Sequence, residues 1–311
     1  MKNRNVLDFL IENNTMHIHI PQLNEYSSNI KRWNNFLFTI NPIFQRSEQI
    51  CFNFKKCGFI SAEGIALLAG LKFLRDVQGY QTTIDENTIR KKVRIVLERS
   101  GFLGLFGSEQ FDVKGTLGDA ATTLPIYRRQ NLDKNGIVSY IDTKILSRTE
   151  MPDMSELLRK EIRKAFFEIF SNIFTHSKSP IGGIVCGQIF PRDKKIQIVF
   201  YDAGVGIAQN VRNFQLSIRS DEEAIEWSLR KGTSTLSSES VSRGLGLYLI
   251  RMFLKANGGE FRIYANKGAV MEFNGRREIK SLLSPIKGTL IDMRIIIRND
   301  IKYTLFSEDE I

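Results

Sequence analysis

The chain has 311 residues, with 44 Lys and Arg against 34 Asp and Glu, for a formal net charge of +10. Its 42% hydrophobic and 25% charged residues suit ordinary packed cores, and the length suggests two domains. No apolar run reaches the roughly 18 residues a membrane helix needs, and the N-terminus lacks a signal-peptide core. The three cysteines form no metal pattern, so a cytoplasmic protein with reduced thiols and no membrane partner is expected.

In chain order, Met16 to Ile20 (MHIHI) alternate as a strand, with His17 and His19 fitting no metal site. A helix is expected over the following YSSNIKRWNNFLFTI. Gln49 to Ile60 read as a strand running into a turn, and Ser61 to Tyr80 as a helix with a broad apolar face, capped by Ser61 and ended by Gly79. A second amphipathic helix runs from Glu86 to near Gly101 through Ile89, Val93, Val96 and Leu97. Residues 111–150 read as a connector with one or two edge strands, and Asp133-Lys134-Asn135-Gly136 as a turn. The final SEDEI is read as a solvated acidic tail.

The chemistry lies further on. Glu168, Asn172 and His176 recur every fourth residue, so on a helix they form one stripe beside an apolar face of Ile162, Ala165, Phe166, Ile169, Phe170 and Ile173. Asn172 offers a neutral oxygen suited to a Mg²⁺ ion that already carries phosphates and waters. Glu168 can orient or deprotonate a hydroxyl or water, or serve site geometry. His176 reads as a packing or rim residue.

The apolar strand ending at Asp202 places a carboxylate where it can accept a hydrogen bond from an adenine amino group. Gly204 and Gly206 then let the chain turn sharply beside a flat base. Arg243-Gly244-Leu245-Gly246-Leu247 opens a helix capped by Gly258-Gly259, and its first amides can hold phosphate oxygens. Lys231, Thr233, Ser234 and Arg243 are candidates to meet phosphate, with solvent as the alternative.

Taken in order, these segments resemble the boxes of the GHKL superfamily, shared by gyrase, heat-shock chaperone, histidine kinase and mismatch-repair ATPases. Glu168 and Asn172 match its N box, Asp202, Gly204 and Gly206 its first glycine box, and Gly244, Gly246 and Leu247 its second. Lys287 to Ile297 is similar to its last strand, and the resemblance puts Thr289 where a Thr supports the Asp–adenine contact. Lys231 to Gly244 is similar to its ATP lid. The resemblance covers roughly residues 153–300. It implies ATP and Mg²⁺ as ligands and a Bergerat α/β sandwich, with one mixed sheet and helices on one face.

Residues 45–110 resemble a STAS domain, the fold of anti-sigma-factor antagonists. Phosphorylated STAS domains carry a Ser directly before the turn glycine; here Glu63 precedes Gly64, a permanent charge somewhat like a phosphoserine. The expected organisation is an α/β chain: a STAS-like domain with an N-terminal extension (1–115), a connector (116–150), a GHKL domain (151–301) and an acidic tail (302–311).

The resemblance to short anti-sigma serine kinases leaves two classes of function. One is a Mg-ATP-dependent ATPase or protein serine/threonine kinase in bacterial signalling. The other is a nucleotide-gated binding module that controls a protein or nucleic-acid partner, in stress or phage-defence regulation. Residues 120–160 contain no His, and Pro125 and Pro152 interrupt them, which disfavours a self-contained histidine kinase. The chain stops soon after the last strand, which disfavours a gyrase-like machine. A protein partner is expected and a homodimer is open. Nucleic acid is not favoured, because the basic residues are scattered without interleaved aromatics.

Overall fold

The computed structural model describes residues 9–12, 15–24, 30–45, 49–107, 122–233 and 244–305. It is a mixed α/β chain built on two principal sheets. Ser234, Arg243 and the end of the acidic tail lie outside the described residues.

The first sheet runs β1 (Phe9–Glu12), β2 (Thr15–His19), β3 (Gln49–Asn53) and β4 (Thr82–Asp85). The first pair is antiparallel and the other two parallel. Strand alternation holds as expected: Met16, Ile18 and Ile20 are buried, while His17 and His19 take the other face. Helix α1 (Ile30–Ile40) buries Trp33, Phe36, Leu37 and Ile40.

Helix α2 (Ala62–Val77) begins where Ser61 accepts a hydrogen bond from the Gly64 amide, and ends before Gly79 at φ 78°. Every residue from Ala62 to Leu71 is buried. A helix apolar all round must be covered all round. The expected second helix is split: a turn at Glu86–Thr88, capped by Asp85, precedes α3 (Lys91–Arg99). Arg90, between them, is extended at ψ 144°.

The second sheet has the order β5 (Thr123–Arg129), β7 (Gly183–Phe190), β8 (Lys195–Asp202), β10 (Arg276–Ile296), β9 (Glu260–Phe273). All four of its pairings are antiparallel, which corrects the expected mixed sheet. Hairpins join β7 to β8 and β9 to β10, and the chain returns from its helices to the far side of β10, so no parallel neighbours arise. Strand β5 is the edge strand that residues 111–150 were expected to supply.

One face of this sheet carries helices. Helix α4 (Lys134–Tyr140) is followed by α5 (Glu156–Asn172), α6 (Ile207–Phe214), α7 (Asp221–Ser228) and α8 (Gly246–Asn257). The expected turn at Asp133–Gly136 is the start of α4, because Asp133 caps it by accepting from the Gly136 amide. Residues Phe166, Phe170, Phe200, Ile250 and Ile263 form the core between helices and sheet.

The opposite face is not open. Ile184, Cys186, Val199, Tyr201, Tyr264 and Leu290 share one core with α2 and the first sheet. The Gln188 side-chain amide donates to the Ile60 carbonyl (3.0 Å), and a Cβ at Gly70 of α2 would overlap the Tyr201 ring. Finally, β6 (Asp153–Met154) pairs in parallel with β11 (Lys302–Tyr303). The segment expected as an acidic tail (302–311) therefore starts as structure: Tyr303 is buried, edge-on to Phe253 and bonded to Asn257.

Candidate functional site

The sequence candidates meet beneath the helical layer. A cavity of about 500 Å³ is lined by Glu168, Asn172, His176, Asp202, Thr233, Gly244, Leu245, Gly246, Leu247 and Thr289, with Trp227, Asn210 and Ile291. Gly204 and Gly206 form the turn beside it. Lys231 points elsewhere: its ammonium lies 5.6 Å from the Tyr248 ring centre, at a separate cavity lined also by Arg230 and Arg277.

Helix α5 supplies Glu168 and, at its last residue, Asn172, because Ile162, Ala165, Phe166 and Ile169 hold its other face in the core. The helix continues as a π turn, Ile173–Ser177, which carries His176. Asn172 lines the cavity and has no side-chain hydrogen-bond partner among the described residues, so its amide is uncommitted. Among those residues no three His, Cys, Asp or Glu converge. A cation at Asn172 would therefore take its remaining ligands from phosphate and water, a set that suits Mg²⁺.

Asp202 ends β8 and stands opposite Thr289 of β10. Its Oδ1 accepts from the Gly204 amide (2.8 Å), and Ser177 and Thr289 also bond to it. The carboxyl is buried, and desolvation pushes its pKa up to about 7 despite these bonds. Thr289 Oγ1 in turn accepts from the Ile207 amide (2.9 Å), fixing the start of α6. Gly206 caps that helix at φ 86°, where a Cβ would also crowd Asn266. The Asn266 amide donates to the Val205 carbonyl (3.1 Å), and the Asn210 amide to the His176 carbonyl (2.8 Å). The pocket floor is thus tied to the π turn and to β9.

At the other end, the Gly244 amide donates to Glu168 Oε1 and the Gly246 amide to Oε2, each at 2.9 Å. Burial raises the Glu168 pKa, and these amides offset only part of the rise. Thr233 turns its hydroxyl to the Trp227 and Arg230 carbonyls.

Sequence reasoning missed Ser177, Asn210, Asn266 and Gly288. Gly288, at φ 82°, lets β10 pass the Asp202 carbonyl with no room for a Cβ. Its signal was present in the Gly-Thr pair at 288–289. The other three are single polar residues whose roles depend on tertiary placement. No known family model matches the chain, and comparison with curated proteins finds no match.

Proposed function

We propose that this chain is an ATP-binding regulatory protein of the GHKL type, with Mg²⁺ carried at Asn172 and a STAS-like N-terminal unit. The observation that carries the reading is the convergence of Asp202 and Thr289, Asn172 and the Gly244–Gly246 amides on one cavity of about 500 Å³. The buried Asp202 suits the adenine amino group, a hydrogen bond that only an ionised or strongly polar acceptor makes well. The amides opening α8 suit phosphate oxygens. An elongated ligand with a base at one end and anions at the other would meet both sets of residues.

As an enzyme, the protein would transfer the terminal phosphoryl group to water or to a serine or threonine of a protein partner, with positioning as the main catalytic contribution. A specific observation supports the second reading, a nucleotide-gated binding module: both Glu168 oxygens accept backbone amides, so the carboxylate holds the Gly244–Gly246 segment in place. The turn of the STAS-like unit is buried at Ser61 and Glu63, so that turn offers no accessible phosphoacceptor. The sheet face under α2 is covered, so a homodimer would use a different surface. Nucleic acid stays disfavoured for want of a basic stripe.

The test is phosphate release and transfer of labelled phosphate to protein, on wild type and Glu168→Ala. Turnover that vanishes in the variant while ATP binding persists supports the enzyme. Binding without turnover in either protein supports the switch.

A further inference from the structure

Glu168 stands where a phosphate is expected. Its two oxygens take the amides of Gly244 and Gly246, at 2.9 Å each, and it has no ion-pair partner among the described residues. The fit is close: a Cβ at Gly246 would lie 2.9 Å from Glu168 Oε2 and 3.0 Å from its Cβ and Cδ. Helix N-termini take carboxylates and phosphates by the same donors and the same dipole. Two donors at the start of α8, the Gly244 and Gly246 amides, are therefore already spent on an anion that belongs to the protein.

We propose that Glu168 is a built-in surrogate for phosphate, an internal competitor that the phosphate chain of the ligand must displace. This rests on the nucleotide reading above and adds a regulation to it. Two anions cannot share these amides, so phosphate binding expels the carboxylate into the cavity, one helical turn before Asn172. Glu168 is then free only when a phosphate is in place. The internal bond lowers affinity for phosphates and leaves the base end, around Asp202, untouched.

The experiment titrates adenosine, ATP and inorganic tripolyphosphate, with Mg²⁺, against full-length wild type, Glu168→Gln, Glu168→Ala and Asp202→Asn. Gln keeps the side-chain shape but loses the charge and one acceptor. The expected result is ATP and tripolyphosphate binding about tenfold tighter to Glu168→Gln than to wild type, as befits loss of charge-assisted bonds, with adenosine affinity unchanged. Phosphates that bind Glu168→Gln no better than wild type overturn the proposal. So does a joint loss of all three ligands in both Glu168 variants, which marks a purely structural clasp. Asp202→Asn separates the two ideas. If adenosine never binds but tripolyphosphate tightens in Glu168→Gln, the nucleotide reading fails and the surrogate stands. If Asp202→Asn weakens adenosine and ATP alike while Glu168→Gln changes nothing, the nucleotide reading stands and the surrogate fails.

Discussion

At Asp202 two demands conflict: the proposed base contact needs an acceptor, and burial disfavours its charge. Its pKa of about 7 lies above the ordinary carboxylate value of 3.8. The folded state thus holds the proton more tightly than the unfolded chain. This group's contribution to stability is fully present below pH 4 and is lost as pH rises through about 7. Urea denaturation at pH 5 and pH 8 reads this directly. Wild type should lose on the order of a few kcal/mol relative to Asp202→Asn between the two, in the absence of ligand. Equal slopes for the two proteins would refute a buried, neutral Asp202. A ligand that donates to the carboxylate favours the ionised form, so its affinity should rise with pH up to about 7 and then level. Most of this site was legible in the sequence, because Asp202, Gly204 and Gly206 are adjacent and their spacing states the turn. Ser177 and Asn266 were not, because they reach Asp202 and its turn from other elements.

Among the elements, α2 is the one whose sequence says most about its surroundings. Its unbroken burial from Ala62 to Leu71 leaves Gly70 facing the Tyr201 ring. Gly70→Ala should cost about 1–3 kcal/mol by overpacking, read as a fall in urea midpoint. Gly104→Ala, which meets nothing within 4 Å, is the control and should be near neutral. A tolerated Gly70→Ala would mean that α2 does not pack on β8. The run Ile198 to Tyr201 carried a matching signal, since it is apolar without alternation, the mark of a strand buried on both faces. Element identity was thus legible, but partner choice was not. The same ambiguity misplaced Asp133: an Asp followed by Lys-Asn-Gly serves a turn or an N-cap equally, and only the helix behind it decides. The antiparallel second sheet was hidden for a related reason, because strand direction depends on where the helices return the chain.

Over the whole molecule, the two sheets are joined by charge as well as by apolar core. Glu63 of α2 lies 3.9 Å from Arg294 of β10, which pairs with Asp292 at 2.9 Å. Arg262 reaches Asp292 at 3.3 Å, and the Gln197 amide donates to its other oxygen at 2.9 Å. Burial opposes the Asp292 charge, but Arg294 and Arg262 outweigh it and hold the carboxyl below its usual range. The charge at Glu63, read as phosphoserine-like from the sequence, is thus part of the joint between the two units. Arg294 keeps Asp292 and Glu260 (3.6 Å) when Glu63 is removed, so the loss is that of one buried polar contact. Glu63→Ala should therefore destabilise the protein by about 1–3 kcal/mol, measured by chemical denaturation. A chain beginning at residue 122 should expose the Tyr201 face and bind a hydrophobic dye or aggregate; a soluble, compact monomer would show that the second sheet does not need its cover.

Under the proposed function, Asp202 is the base-binding acceptor of a nucleotide cavity. The direct measurement is calorimetric titration of Mg-ATP into wild type and Asp202→Asn at pH 8, where the carboxylate is ionised. Loss of a charge-assisted hydrogen bond predicts saturable binding by wild type and roughly tenfold to hundredfold weaker binding by the variant, about 1.5–3 kcal/mol. Equal affinity in the two proteins, or no binding by wild type, would contradict it.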